Sequence, residues 1–516
     1  MKSLPQNSKY LYEPTPKISD AYKLIMAFPA CESFALSSLG YMWLSKILDE
    51  TDFVNIEQVY TDSKSYPYKK DVEAIGFSLS YEMDFMGVFE ILEKMKIDIF
   101  SEDREGMFVF AGGPVITSNP EPFAEIFDFL LIGDGEQLIK NVLQTLHTMR
   151  NETKDSVLHA LSQINGVYVP KLNNITHKVT ESIPIAVSTP IMSENSYFSD
   201  TFIIEIERGC YNRCGFCLAS YLNLPVRFVE YDEIITKIET GLKITSNIAL
   251  LGAQVSAHPR FNDICDYIIK KLETGSNINI NFSSLRVDAI NEQIIKLLKL
   301  SGQKTFTVAI EAATERLRSV INKNLKEEQL LKALQYAYDG GMKGAKIYCM
   351  LGLPTENESD INAFINLAKR LKTAFKGFEL TFSFSTFVPK PHTPFQWIGR
   401  EENTTLEKKE KLLTKELSKL GIKSKFSSPK WDYYQTLISR GDRSLANYLY
   451  EVYKTGGKLG NYKAAIKTCN INAEKFVLKG FDLDEPLPWD NIIIDTPGKQ
   501  LLKNEYNRLM KKSILE

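Results

Sequence analysis

The chain is poor in cysteine, with seven in 516 residues. So few thiols cannot staple so long a chain as a disulfide framework. It also has little charge of either sign in excess. Lys and Arg number 62 against 64 Asp and Glu, a formal net charge of −2, so no strongly basic field points to nucleic acid. No apolar run reaches membrane-spanning length. The opening Met1-Lys-Ser-Leu-Pro-Gln-Asn-Ser lacks the apolar core of a signal peptide. A reducing cytoplasm is the expected compartment. Histidine is scarce, five in all, and none precedes His147. What remains is ordinary globular material, 44% hydrophobic and 24% charged, enough for two or three domains with real cores.

Three of the seven cysteines stand together. They fall in Ile203-Ile-Glu-Ile-Glu-Arg-Gly-Cys-Tyr-Asn-Arg-Cys-Gly-Phe-Cys217, which reads as a strand, a glycine and a loop. The spacing is Cys210-x-x-x-Cys214-x-x-Cys217. Three thiolates this close can hold three irons of a [4Fe–4S] cluster and leave the fourth open to a small molecule. The alternative is a zinc site, but structural zinc wants four closed ligands, and the next histidine is His258. Cys31, Cys265, Cys349 and Cys469 form no motif, so a second cluster is not expected.

The cysteine stretch, with Phe216 before its last cysteine, resembles the signature of radical S-adenosylmethionine (SAM) enzymes. The resemblance extends through Ser256-Ala-His-Pro259, Ser284-Leu-Arg-Val-Asp288, Ala309-Ile-Glu-Ala312 and Phe387-Val-Pro-Lys-Pro-His-Thr-Pro-Phe395, and covers about residues 24 to 450. It implies a [4Fe–4S] cluster whose open iron chelates SAM. One electron then gives methionine and a 5′-deoxyadenosyl radical, which abstracts hydrogen from an unidentified substrate. An electron donor such as flavodoxin or ferredoxin is implied too. The leftover cysteines argue against methylthiotransferases, whose resemblance would require an N-terminal cysteine trio. A bare iron–sulfur electron carrier or regulator is the non-enzyme alternative.

Taken in order, residues 1–150 alternate strands and helices: Lys23–Pro29, Asn55–Tyr60, Ala74–Ser80, Phe108–Gly113 and Phe129–Glu136 as strands, Leu36–Leu48 and Phe85–Met95 as helices. That rhythm predicts a doubly wound, Rossmann-like parallel sheet. The run Ala111-Gly-Gly-Pro-Val, Asn119-Pro-Glu-Pro122 and Gly133-Asp-Gly-Glu136 resembles the N-terminal domain of radical SAM proteins related to the cobalamin-binding branch. Glycines after strands can admit a nucleotide or a corrin tail, or simply make tight turns. The branch's cobalt ligand is a His in Asp-x-His-x-x-Gly. None exists here, so cobalamin is possible only without a His ligand, as in an alternative cobalamin-dependent methyltransferase.

Residues 151–200 read as connector, with Gly166–Pro170 and His177–Thr180 predicted as a hairpin around Lys171–Asn174, and with Pro184 and Pro190 in an extended linker. Residues 201–400 show six βα units, which predict a partial (β/α)6 barrel. Residues 401–516 read as mainly helical, a small cap whose aromatics form a core.

In such a barrel, chemistry sits at the C-terminal strand ends. Strand one ends in the cysteines. Strand two offers Gly252-Ala253-Gln254, where the resemblance implies a site for the methionine ammonium but usually shows an acid. Strand three offers Ser283 and Arg286, a bidentate match for a carboxylate. Strand four offers Glu311 for ribose hydroxyls. Strand five offers Gly352, with Ile347 to Leu351 to pack adenine. For Arg286 and Glu311 the plain alternative is a salt bridge at the rim. His258 and His392, the only histidines in the barrel region, are the candidate proton donors or substrate contacts.

Overall fold

The structure is a computed structural model that describes residues 8–182 and 186–512. Ile183, Pro184 and Ile185, half of the linker expectation, lie outside the described residues.

The first sheet runs in the order Val54–Tyr60, Tyr22–Phe28, Ala74–Ser78, Phe108–Gly112, Phe129–Leu131, all parallel, with Val167–Tyr168 antiparallel at one edge. Strands such as Tyr22–Phe28 are buried on both faces, as parallel sheets require. One face packs Leu39–Asp49, Leu138–Thr148 and Lys154–Ser162. The other packs Phe85–Lys94 and, from far along the chain, Pro429–Arg440, Leu445–Lys454 and Leu459–Thr468. The expected C-terminal cap is thus a layer of the first sheet. Its Tyr434, Leu437, Tyr448 and Leu449 are core, as the sequence suggested.

The expected hairpin around Lys171–Asn174 does not form. Val167–Tyr168 pairs with Phe129–Leu131, and Thr176–His177 pairs in parallel with Ile492–Ile493. Both segments find partners outside their own turn.

The second half holds two parallel sheets. Thr201–Glu205, Asn247–Leu251 and Asn279–Phe282 form one; Thr305–Glu311, Gly344–Leu351, Glu379–Thr386 and Lys423–Phe426 form the other. Among the described residues no ladder joins them. The Gln303 side chain stitches the gap, donating to Ile280 O (3.3 Å) and Asn281 Oδ1 (3.1 Å). Lys423–Phe426 is a seventh strand beyond the six expected. Helices including Tyr231–Leu242, Phe261–Glu273, Glu327–Asp339 and Glu358–Ala374 cover one face of these sheets through alternate apolar residues such as Ile248, Val308, Ile347 and Phe382. Among the described residues no helix is long and apolar enough to cross a membrane.

Candidate active site

The loop Gly209–Cys217 leaves the end of Thr201–Glu205. Gly209 has φ of +93°, and a Cβ there would sit 2.6 Å from Asn223 O, so only glycine fits. The loop is held from the side by the segment after Glu315–Val320. Gly215 N–H donates to Ile321 O (2.9 Å), and Asn322 Nδ2 donates to Asn212 O (3.1 Å) and Arg213 O (2.9 Å). Phe216 packs with Ile321, Met350, Phe395 and Leu509.

All three loop cysteines are free; Cys210 and Cys214 are buried and Cys217 is half-buried. Burial raises the Cys210 thiol and pushes Cys214 up to about 12, against the pull of Lys323. A thiol coordinates iron only as the thiolate, so binding a cluster here would displace these protons against that burial. Among the described residues no three His, Cys, Asp or Glu side chains converge on a single metal ion. Ligands to three separate irons of a cubane do not converge in that way. The donor set fits a [4Fe–4S] cluster with one open iron.

The strand ends gather around this loop. Gln254 Oε1 lies 3.6 Å from Cys210 Sγ and accepts from Asn212 Nδ2. Ser283 Oγ donates to Gly252 O (2.7 Å) and Ser284 Oγ to Ala253 O (2.9 Å), so serines already engage the carbonyls offered for an ammonium. Arg286 forms the fork expected of it, but with Asp288 (2.9 and 3.0 Å), while lying within electrostatic reach of Cys210 and Cys214. Glu311, at a φ of +63°, pairs with Lys323 Nζ at 2.8 Å. Gly352 has φ of +75° and donates its N–H to Glu356 Oε1; beside it Leu353 packs in the Phe216 cluster.

Adenine packing by Ile347 to Leu351 needs correcting. Ile347, Cys349 and Leu351 face the helices, and Met350 alone joins the Phe216 cluster.

The two histidines stand apart from this group. His258 is buried, with Nε2 2.8 Å from Val229 O and Nδ1 accepting from Arg260 N–H (3.1 Å). Both ring nitrogens are engaged by backbone. His392 is buried against Trp489 with Nε2 unpartnered, and burial lowers its pKa to about 4.

Two residues escaped the sequence reading. Lys323 is buried, and although burial pulls it down, Glu311 and Cys214 hold it above the ordinary lysine value. No strand end marked it, because it follows a helix. Glu207 is 2% exposed and accepts from Gln254 N–H; burial pushes its carboxyl up to about 7. It brings to the end of strand two the acid that Gly252-Ala253-Gln254 lacks. The signal was present in the cysteine stretch itself, three residues before Cys210.

The glycine turns of the first sheet face a cavity of about 300 Å³ lined in part by Trp43, Thr117, Asp134, Lys178 and Arg208. A Cβ at Gly133 would sit 2.1 Å from Val179 O, and one at Gly113 2.4 Å from Leu79 O. Arg208 bridges Asp134 (3.1 Å), Glu136 (2.8 Å) and Glu205 (2.8 Å), and Arg227 also pairs with Asp134. The turns are closed by the chain itself. Side chains at these two turns are excluded, and the cavity in front of them stays open.

Fold and site together define an enzyme with an open-cluster cysteine loop at the strand ends of an α/β domain. The comparisons place it: residues 41–170 match the family described as radical SAM proteins, N-terminal, and residues 204–368 match the radical SAM superfamily. The chain belongs to the radical SAM superfamily, whose members bind a [4Fe–4S] cluster and SAM. It is 31% identical to the uncharacterized protein MJ0966 of Methanocaldococcus jannaschii, over 75% of this chain and 82% of the relative. It is 24% identical to the uncharacterized methyltransferase PH0819 of Pyrococcus horikoshii, over 66% and 75%. Among solved structures, the cobalamin-dependent SAM radical enzyme OxsB, with aqua-cobalamin and SAM bound, superposes with a TM-score of 0.54 at 14% identity, covering 96% of this chain and 80% of that one. The methyltransferase TsrM from Kitasatospora setae gives 0.50 at 11% identity, covering 70% and 73%.

Proposed function

We propose that this protein cleaves SAM reductively and directs the resulting radical to abstract hydrogen from a bound substrate. The observation that carries this reading is the convergence of Cys210, Cys214 and Cys217 with Gln254, Arg286 and the Glu311–Lys323 pair on one loop. When bound, the cluster supplies the single electron that splits the sulfonium. The protein's own residues do the rest. Cys210, Cys214 and Cys217 hold three irons. Arg286, released from Asp288, takes the SAM carboxylate in a bidentate fork. Glu311, oriented by Lys323, accepts from the ribose hydroxyls. Gly252, Ala253 and Ser283 shape the ammonium side, and Gly352 turns the fifth strand end away so that Leu353 can pack beside Phe216. A cytoplasmic setting with a flavodoxin- or ferredoxin-type donor suits this chemistry.

The test is anaerobic reconstitution with iron and sulfide, then SAM and dithionite, with 5′-deoxyadenosine as readout and Cys214→Ala as control. The wild type is expected to form 5′-deoxyadenosine and the variant none. A wild type that binds the cluster, yet shows neither product nor a SAM-induced change in the cluster's EPR spectrum, would sink the reading in favour of an electron carrier.

A further inference from the structure

The sheet Thr305–Glu311, Gly344–Leu351, Glu379–Thr386, Lys423–Phe426 has one face covered by helices; on the other, among the described residues, helical side chains reach Met350 near the strand ends. In closed parallel barrels the helix-free positions are filled by branched apolar side chains, which make a packed core. Here most of them are polar. The register places Thr307, Lys346, Thr381 and Lys423 on one rung. The next rung toward the strand ends holds Ala309, Tyr348, Ser383 and Lys425. Thr307, Lys423 and Lys425 are exposed, and Tyr348 keeps 42% of its surface open.

This face is positively charged. Among the described residues no carboxylate pairs with Lys346, Lys423 or Lys425. Of the acids on the face, Glu311 is taken by Lys323, and Glu379 sits one rung further from the strand ends, opposite Gly344. Lys346 Nζ lies 2.9 Å from the Tyr348 hydroxyl and over its ring, 4.4 Å from the centroid, so an ammonium caps one side of an aromatic ring. The face also lies within reach of the chemistry. Met350, the next inward residue after Tyr348, belongs to the apolar cluster against which Phe216 of the cysteine loop packs. Two residues of strand span roughly 7 Å.

We propose that this face binds the substrate, and that the substrate carries a planar heteroaromatic ring with phosphate: a nucleotide, free or within an RNA. The ring stacks on Tyr348 and the phosphate is taken by Lys346 and the lysines of Lys423–Phe426. The inference rests on the radical reading above and names the substrate class for that same site. A global charge of −2 gives no hint of it, because these lysines are local to one face.

The probes are AMP and GMP, adenosine and guanosine, and a short single-stranded RNA, titrated onto the reconstituted enzyme in the presence of SAM. Wild type is expected to bind nucleotides more tightly than nucleosides. Tyr348→Ala should weaken binding by roughly tenfold or more, and Tyr348→Phe should restore most of it. Lys346→Gln should weaken nucleotides but not nucleosides, and should flatten the salt dependence. RNA binding far above that of the mononucleotides would identify a polynucleotide as the source; equal binding would identify a free nucleotide. The SAM-induced EPR change should survive Tyr348→Ala. Loss of that change would mean that Tyr348 serves SAM itself, and would overturn the proposal. So would failure of every probe to bind wild type, or equal binding by the alanine variant. Absence of 5′-deoxyadenosine from wild type would count against the radical reading alone, since the binding arms stand without it.

Discussion

Lys323 and Glu311 form a pair that neither position reveals alone. Both side chains are nearly buried, 10% and 12% exposed, beside Cys214. Removing one partner leaves a charge with little water to replace it. Lys323→Met should therefore destabilise the protein by about 3–5 kcal/mol, and the double variant Lys323→Met/Glu311→Gln should recover much of that loss. Urea unfolding of the three proteins decides it: an unchanged midpoint in the single variant would show the pair to be solvated. The cysteine spacing was readable because a cluster needs its ligands close in sequence. Arg286 and Glu311 were singled out by their places at strand ends, and the structure sets each in a salt bridge near Cys214. Lys323 was not, since the helix Glu315–Val320 returns it to the site through three-dimensional packing that no short spacing encodes. His258 looked available from its place after a strand end; the backbone of Val229 and Arg260 takes both its nitrogens.

At the scale of elements, the helix Lys499–Lys512 closes the back of the cysteine loop. Leu509 is fully buried in the cluster with Phe395 against which Phe216 packs, and a Cβ on Gly215 would meet Leu509 Cδ1 at 2.9 Å. Leu509→Ala should cost roughly 2–5 kcal/mol and speed loss of the cluster in air, followed by the decay of its visible absorbance. Unchanged decay would mean that the helix stabilises the fold without shielding the loop. Strand identity was legible in alternations such as Thr305-Phe-Thr-Val-Ala-Ile310, but alternation alone does not say which face meets the helices. That ambiguity makes Ile347 to Leu351 read as a surface for adenine, when the inward side of that strand is Lys346, Tyr348 and Met350. The hairpin at 166–180 failed for a related reason: the strand that Thr176–His177 prefers lies more than 300 residues away.

At the scale of the whole molecule, the end of the chain completes its beginning, and His392 marks the seam. Its loop follows the strand Glu379–Thr386, its ring meets Trp489 from the C-terminal region, and the backbone of Ser118, at the end of the helix after Phe108–Gly112, lies near it. Burial is the main cause that lowers its pKa to about 4, with Asp490 pulling upward and Lys499 downward. A histidine whose folded pKa lies below its unfolded value near 6.5 stabilises the fold fully above that value, and the contribution is lost as pH falls toward the folded pKa. Between about pH 6.5 and 4 the wild type should therefore lose about 3 kcal/mol from this one ring. His392→Asn, which tolerates the left-handed φ of +56°, should remove that part of the slope. Unfolding free energies at several pH values compare the two proteins. Parallel curves would show that the seam opens before His392 protonates, and would transfer the acid sensitivity to carboxylates elsewhere.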